Sequence, residues 1–435
     1  MPRRTSALLA AVTAAAVLAP TAAYAHGGDH TPQLKGQRVG YFTQWGVYSG
    51  FSFKNVQTSG QAAKLTVINY AFGNVSAEGK CFEANEAGVG DAWADYQRPV
   101  GAEESVDGVA DTDTQPLKGS FNQLRKLKAK NPQLKAVISL GGWTWSKYFS
   151  DAALTDASRR AFVSSCLDLY IKGDLPQLGS AEGGPGSGLG VFDGIDIDWE
   201  YPGGDGDPGN VSRPEDGRNF TLLMAEFRRQ LDELGRKSRK HYLLTAAVAA
   251  NDKVADRLEL PKVARSVDWL NLMTYDLHGP WEGKGPTNNQ APLFAVKGDP
   301  APVQRSADKA VRHYIEKGLP ARQTVVGVPF YSHTWTGVQP GPKGDGLFQP
   351  ATASGGDVAY KDLKALPGAV HTDWRSGVSW KYDGNTFYTF DTPEVLTAKA
   401  AYSRLTGLGG VMAWALDHDD AQGTLVKALD KGMKY

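Results

Sequence analysis

The chain has two cysteines, five methionines and eight histidines in 435 residues, and no excess of charge of either sign. Each shortage excludes something. Two cysteines cannot build a zinc site by themselves and the histidines show no ligand spacing, so no metal or other cofactor is expected. The 47 basic and 47 acidic side chains cancel, which leaves no field to gather nucleic acid or anionic lipid. Beyond the first two dozen positions no apolar run is long enough to anchor the product in a bilayer.

Those first positions read as a leader. Met-Pro-Arg-Arg is charged, Ala7 to Ala19 is mostly apolar, and Ala23-Tyr24-Ala25 offers small residues for cleavage. The run is too short to span a membrane. Residues 1–25 are therefore predicted to be a signal peptide, and residues 26–435 a secreted, extracellular, monomeric product. In that compartment Cys81 and Cys166 are free to pair. Cys166 also falls on the apolar face of an apparent helix, with Phe162, Val163, Leu169 and Tyr170, where a free thiol is equally at home. Both states stay open.

Aromatic residues are abundant, with 11 Trp, 17 Tyr and 16 Phe. Flat rings suit ligands with apolar faces, sugars among them, although Trp is also a good core residue. The most informative segment is Asp193-Gly194-Ile195-Asp196-Ile197-Asp198-Trp199-Glu200. Its two-residue period is that of a β-strand, with Asp196, Asp198 and Glu200 on one face and Ile195, Ile197 and Trp199 on the other. Ionised acids are costly to bury, and close ones must share protons. At least one is then held protonated near neutral pH and can act as a general acid. A solvated edge strand or a calcium loop is the competing reading.

Eight apolar runs recur between helical patterns, at 39–45, 65–72, 134–142, 191–200, 242–249, 267–275, 324–331 and 410–416. Amphipathic segments follow at 121–130, 159–172, 217–234, 307–317, 393–404 and 419–431. This alternation predicts an α/β fold, a (β/α)8 TIM barrel, ahead of a doubly wound open sheet. Two stretches break the rhythm, 77–117 after the second strand and 332–391 after the seventh. The latter holds strand-like pieces at 377–382 and 385–390 around Asp383-Gly384, and is predicted to be a small α+β insertion. Both follow strand C-termini, the face where barrel enzymes place their sites.

Residues 193–200, followed by Tyr201-Pro202, resemble the signature of the family 18 glycoside hydrolases, the chitinases. Ser139-Leu140-Gly141-Gly142 resembles their second signature and Met273-Thr274-Tyr275-Asp276 their third. The similarity runs from about Arg38 to near the C-terminus, and the insertion after strand seven is similar to that of bacterial chitinases with a deep cleft. The resemblance implies a secreted chitinase that hydrolyses β-1,4-linked N-acetylglucosamine in chitin or chitooligosaccharides with retention. It implies that Glu200 protonates the leaving oxygen, that Asp198 orients the substrate acetamido N–H, and that Tyr275 holds the acetamido oxygen. Asp196 would share a proton with Asp198, while Asp193, outside the alternating register, reads as structural.

By motif position Tyr41, Phe72, Met273, Asp276 and Tyr331 would surround the sugar at the cleaved bond, with Trp414 as its floor. Trp281 would lie on the leaving-group side, and Trp143 and Trp145 further along the chain. Trp93, Trp335, Trp374 and Trp380 divide between cleft wall and subdomain core. One departure stands out: the family often reads Tyr-Gly-Arg-Gly-Trp after strand seven, and this chain reads Tyr331-Ser332-His333-Thr334-Trp335. The arginine's sugar contact is not carried over; either His333 substitutes or the loop is shaped differently.

The glycine-rich 183–190 stretch precedes a strand, which argues against a phosphate loop. Asp205-Gly206-Asp207 reads as a turn and the acids at 417–420 as the cap of the last helix. Two other functions fit the same barrel. One is an endo-β-N-acetylglucosaminidase; the other is a non-catalytic sugar-binding protein, against which Glu200, Asp198 and Tyr275 all count.

Overall fold

The apolar runs become eight short parallel strands closed into a ring. A computed structural model of the chain describes residues 36–179 and 181–434; the predicted signal peptide lies outside them. The barrel strands are β1 (Gln37–Thr43), β2 (Val67–Val75), β3 (Lys135–Gly141), β4 (Gly194–Asp198), β5 (Leu243–Ala249), β6 (Trp269–Met273), β7 (Thr324–Pro329) and β8 (Gly410–Trp414). Each pairs in parallel with its sequence neighbours, and β1 pairs with both β2 and β8. The fold is a TIM barrel, as the alternation predicts.

Alternation along each strand sorts its side chains. Ile195 and Ile197 point outward into the main core, beneath helices such as Asp156–Cys166 and Asp216–Ser238. Val39, Tyr41, Val137, Trp269 and Met412 point inward and form a second buried cluster inside the ring. Helix starts carry their own chemistry: Thr155 and Ser158 form a capping box, and Thr392 caps the helix that opens with Pro393. At the last helix, Thr424–Lys434, Asp419 accepts from the amides of Leu425 and Val426 and Asp420 from that of Thr424, so these two of the 417–420 acids cap it.

Element ends differ from expectation in two places that matter. Strand β4 stops at Asp198, two residues before Glu200. Strand β7 stops at Pro329, and Tyr331, expected at its end, instead opens the insertion sheet. Proline has no N–H to continue the ladder. Between them sits buried Phe330, whose N–H donates to the Trp414 carbonyl of β8 at 2.8 Å while its carbonyl accepts from the Tyr360 N–H of the insertion at 3.0 Å.

The insertion is a five-stranded antiparallel sheet, ordered Ala353–Ala359, Tyr331–Thr336, Phe387–Phe390, Val378–Tyr382 and Ala369–Asp373. Trp335 and Trp380 pack with Phe387 and Tyr382 in its core, whereas Trp374 is exposed and lines no part of the cleft described below. The first insertion is tied down differently. Its strand Cys81–Phe82 pairs antiparallel with the end of β2, and Cys81 is disulfide-bonded to Cys166 with their Cα atoms 4.9 Å apart. Of the two states open for these cysteines, the bridge is the one formed. Among the described residues no helix is long and apolar enough to cross a membrane.

Candidate active site

Asp196, Asp198 and Glu200 form a depth series at the C-terminal end of β4, with exposures of 0, 3 and 9%. Asp196 is enclosed by donors. Its Oδ2 accepts from Tyr41 (2.7 Å) and Ser139 (2.8 Å), and its Oδ1 from Thr245 (2.5 Å) and Asn271 (3.4 Å). Burial raises its pKa, and the hydrogen bonds from Thr245, Tyr41 and Ser139 oppose the rise. None of the four partners is Asp198, which feels Asp196 as a neighbouring charge.

Asp198 is held differently. Its Oδ1 is buried and accepts no hydrogen bond. Burial, then Glu200, then Asp196 push its carboxyl well above the usual range. Glu200 lies past the strand, where neighbours capture its backbone: the N–H donates to Ser146 Oγ at 2.9 Å and the carbonyl accepts from Asn210 at 2.8 Å. Burial pushes its carboxyl up to about 7, against a hydrogen bond from Tyr201 and with the help of Asp276. Asp193 is structural as expected, accepting from the Ala136 N–H at 3.0 Å and pairing with Lys128 at 2.7 Å.

The Ser-Leu-Gly-Gly motif of β3 exists to let this turn approach. Gly141 and Gly142 have φ of +107° and +76°, a region open mainly to glycine. A Cβ at Gly141 would lie 2.3 Å from the Asp198 carbonyl oxygen, and one at Gly142 would lie 2.7 Å from the Phe72 ring. Bare backbone allows the Gly142 N–H to donate to Asp198 O at 2.8 Å.

A cleft of about 1240 Å³ opens above the acids. Asp198, Glu200 and Tyr275 line it, and Asp196 lies beneath. Tyr275, just beyond β6, is buried, and its hydroxyl meets the weak acceptor Met412 Sδ at 3.9 Å. Trp414 is the floor, stacked on Phe72 (5.7 Å, 19°) and tilted against Tyr41 (5.3 Å). Met273, Asp276 and Tyr331 complete this end, with the Tyr331 hydroxyl donating to Asp276. Trp143 and Trp281 line the cleft while remaining 49% and 60% exposed. Trp145 lines it too, its Nε1 donating to Gly88 O. Trp93 borders a shallower groove with Tyr48 and Trp145.

The proposed acids, Tyr275 and the proposed sugar-contacting residues thus converge on one end of the barrel, whereas Trp335 and Trp380 belong to the insertion core and Trp374 to the surface. Tyr201 of the first signature lines the cleft too, and so do Trp45, Arg305 and Asp357, which sequence gives no role, while Ser146, equally without one, pins the Glu200 backbone. Trp45, half-exposed 6.4 Å from Trp414, had a signal: an aromatic two residues past a strand end. His333 is in the cleft wall as well, with Nε2 at 2.7 Å from Asp276 and Nδ1 at 2.6 Å from Asp357. Burial pulls its pKa down, but these two carboxylates outweigh it and hold the imidazole up at about 9. Among the described residues no group of three or more His, Cys, Asp or Glu is placed to hold a metal ion.

Known proteins resemble this chain in sequence and fold. Chitinase 63 of Streptomyces plicatus is 38% identical over 416 residues, covering 94% of this chain and 62% of the relative. The chain therefore spans about three-fifths of the length of the curated relatives it matches first. The catalytic domain of psychrophilic chitinase B from Arthrobacter TAD20 superposes with a TM-score of 0.88 at 44% identity, covering 93% of this chain and 96% of that one. A family 18 N-acetylglucosaminidase from Paenibacillus barengoltzii gives a TM-score of 0.71 at 28% identity, covering 92% and 100%. The family model for the glycosyl hydrolases family 18 matches residues 37–419, so the acids, the barrel and the insertion all fall inside it, and the chain belongs to that family.

Proposed function

We propose that the protein is a secreted chitinase that cleaves β-1,4-linked N-acetylglucosamine chains with retention, using the substrate's own acetamido group as nucleophile. The observation that carries this reading is that Asp198 Oδ1, a buried acceptor with no donor, lies two residues before Glu200 at the cleft, where burial pushes the Glu200 carboxyl up to about 7. Ordinary retaining glycosidases need a carboxylate nucleophile beside the acid, whereas family 18 enzymes form a substrate-assisted exception.

In this mechanism Glu200 gives its proton to the leaving glycosidic oxygen. The acetamido carbonyl oxygen attacks the anomeric carbon as that bond breaks, forming an oxazolinium ion. Asp198 Oδ1 accepts the acetamido N–H and balances the growing positive charge, an interaction stronger in the transition state than in the ground state. Tyr275 donates to the acetamido oxygen and keeps it in line. Glu200, now ionised, removes a proton from the water that opens the ring. Trp414 and the exposed Trp143 and Trp281 stack on successive sugar faces. Asp196 shares a proton with Asp198 and releases it as Asp198 turns toward the substrate. The leader at residues 1–25 would deliver the product outside the cell, where the Cys81–Cys166 bridge is stable.

The test is one assay with chitin oligosaccharides, cellooligosaccharides and an N-glycopeptide, reading products and anomeric configuration by NMR. Hydrolysis of the first with retention supports the proposal. Comparable cleavage of cellooligosaccharides, which lack the acetamido group, overturns it. Cleavage of the glycopeptide alone points to the endo-β-N-acetylglucosaminidase reading, and hydrolysis of none to a sugar-binding protein.

A further inference from the structure

Where the family often carries an arginine, this chain has His333, buried in the cleft wall on the first strand of the insertion sheet. Its ring is enclosed on every side. Nε2 faces Asp276 Oδ1 from the segment after β6, and Nδ1 faces Asp357 Oδ1 from the neighbouring strand Ala353–Ala359. Trp281 approaches edge-on at 5.6 Å, Tyr331 at 5.3 Å. Gly279 makes room: a Cβ there would lie 2.6 Å from the Trp281 ring and 2.9 Å from His333 Cδ2.

This geometry limits what the ring can do. A neutral imidazole has one N–H and one lone pair, so it cannot donate to two carboxylates at once. Both nitrogens are occupied, so neither is free to bond a sugar as the arginine would. Asp276 Oδ1 receives both His333 and the Tyr331 hydroxyl, which fixes the carboxyl on the cleft side while leaving it half-exposed there.

We infer that His333, as an imidazolium donating from both ring nitrogens, is a positioning residue: it clamps Asp276 against the sugar-binding end of the cleft and ties it to the insertion through Asp357. An arginine at this place never loses its charge, whereas a histidine does. Substrate binding in this chain therefore carries a proton switch that the family's arginine would lack. Beyond the two carboxylates, the titratable groups that surround it, Tyr331 directly and Tyr275 and His418 through Tyr331, do not share its window. Tyr331 and Tyr275 are raised well above 10, and His418, whose ring lies 5.9 Å from that of Tyr331, is lowered below its ordinary 6.5. The imidazole itself is held up at about 9.

The inference rests on the proposed oligosaccharide substrate, and its test keeps the two apart. The affinity of Glu200→Gln for a chitin tetrasaccharide is measured by calorimetry from pH 7 to 10, alone and combined with His333→Arg, His333→Gln or Asp357→Asn. Glu200→Gln binding should weaken on the order of tenfold as the imidazolium is lost, one charge-assisted hydrogen bond being worth about that factor. His333→Arg should remove the pH break, His333→Gln should bind weakly throughout, and Asp357→Asn should move the break to lower pH. A Glu200→Gln profile that is flat, or one unaltered by His333→Gln, overturns the clamp. In parallel, NMR of the ligand-free protein reads the His333 ring at pH 8. Two N–H protons uphold the clamp even if no tetrasaccharide binds and the functional reading fails; a neutral ring overturns it.

Discussion

The backbone N–H of Glu200 donates to the hydroxyl of Ser146 at 2.9 Å, and that hydroxyl's own proton lies between the carbonyls of Gly142 (2.8 Å) and Asp198 (3.0 Å). One small side chain thus links the end of β3, the end of β4 and the residue that holds the acid. Ser146→Ala should lower kcat by about tenfold with little change in KM, because the acid drifts while the sugar contacts stay. The stranded Glu200 N–H should cost about 1–2 kcal/mol of stability. Steady-state kinetics on a chitin oligosaccharide and a denaturant melt check both.

Glu200→Gln should abolish nearly all turnover and leave oligosaccharide binding largely intact. It should also stabilise the fold at neutral pH. A carboxyl whose folded pKa lies above its unfolded value holds more protons folded than unfolded, so stability falls as pH rises from about 4.5 to 7. Gln has no such loss, and above pH 7 the variant should gain up to about 3 kcal/mol over the parent. Thermal melts of both proteins at pH 5 and 8 decide it: a gain at pH 8 is expected and equal melts at pH 8 would refute it.

Asp198→Asn should slow hydrolysis on the order of 10²–10³-fold, since it removes a charge that acts mainly in the transition state. Its KM should change little. A loss confined to KM would mean that Asp198 binds substrate without assisting the acetamido group.

Reduction of Cys81–Cys166 should destabilise the protein, up to about 4–5 kcal/mol for the 85-residue loop it closes. The loss should begin in the first insertion, which the bridge fastens to helix Asp156–Cys166. Hydrogen exchange with and without reductant locates it; uniform loss of protection across the barrel would contradict this.

The barrel was legible because its strands are continuous apolar runs, and the acids because a two-residue period survives at the barrel mouth. The period even extends beyond the strand. Trp199 stays 2% exposed although pairing has stopped at Asp198, so the sequence pattern overran the ladder. What stops pairing comes from outside the strand: Ser146, 54 residues away, and Asn210, ten residues on, take the Glu200 backbone groups. Asp357 was illegible for the same reason, since only the register of two insertion strands, His333 opposite Asp357, brings it to the ring. The bridge could not be settled because composition permits both thiol states and only chain geometry distinguishes them.

The corner at Phe330 has a mechanical consequence. One residue separates floor from wall, with its N–H fastened to the barrel and its carbonyl to the insertion. There is no slack at this joint for the wall to swing like a lid. The wall on that side is therefore set by the barrel strand beneath it, and a wall transplanted from a relative would fit only if it arrived with this corner.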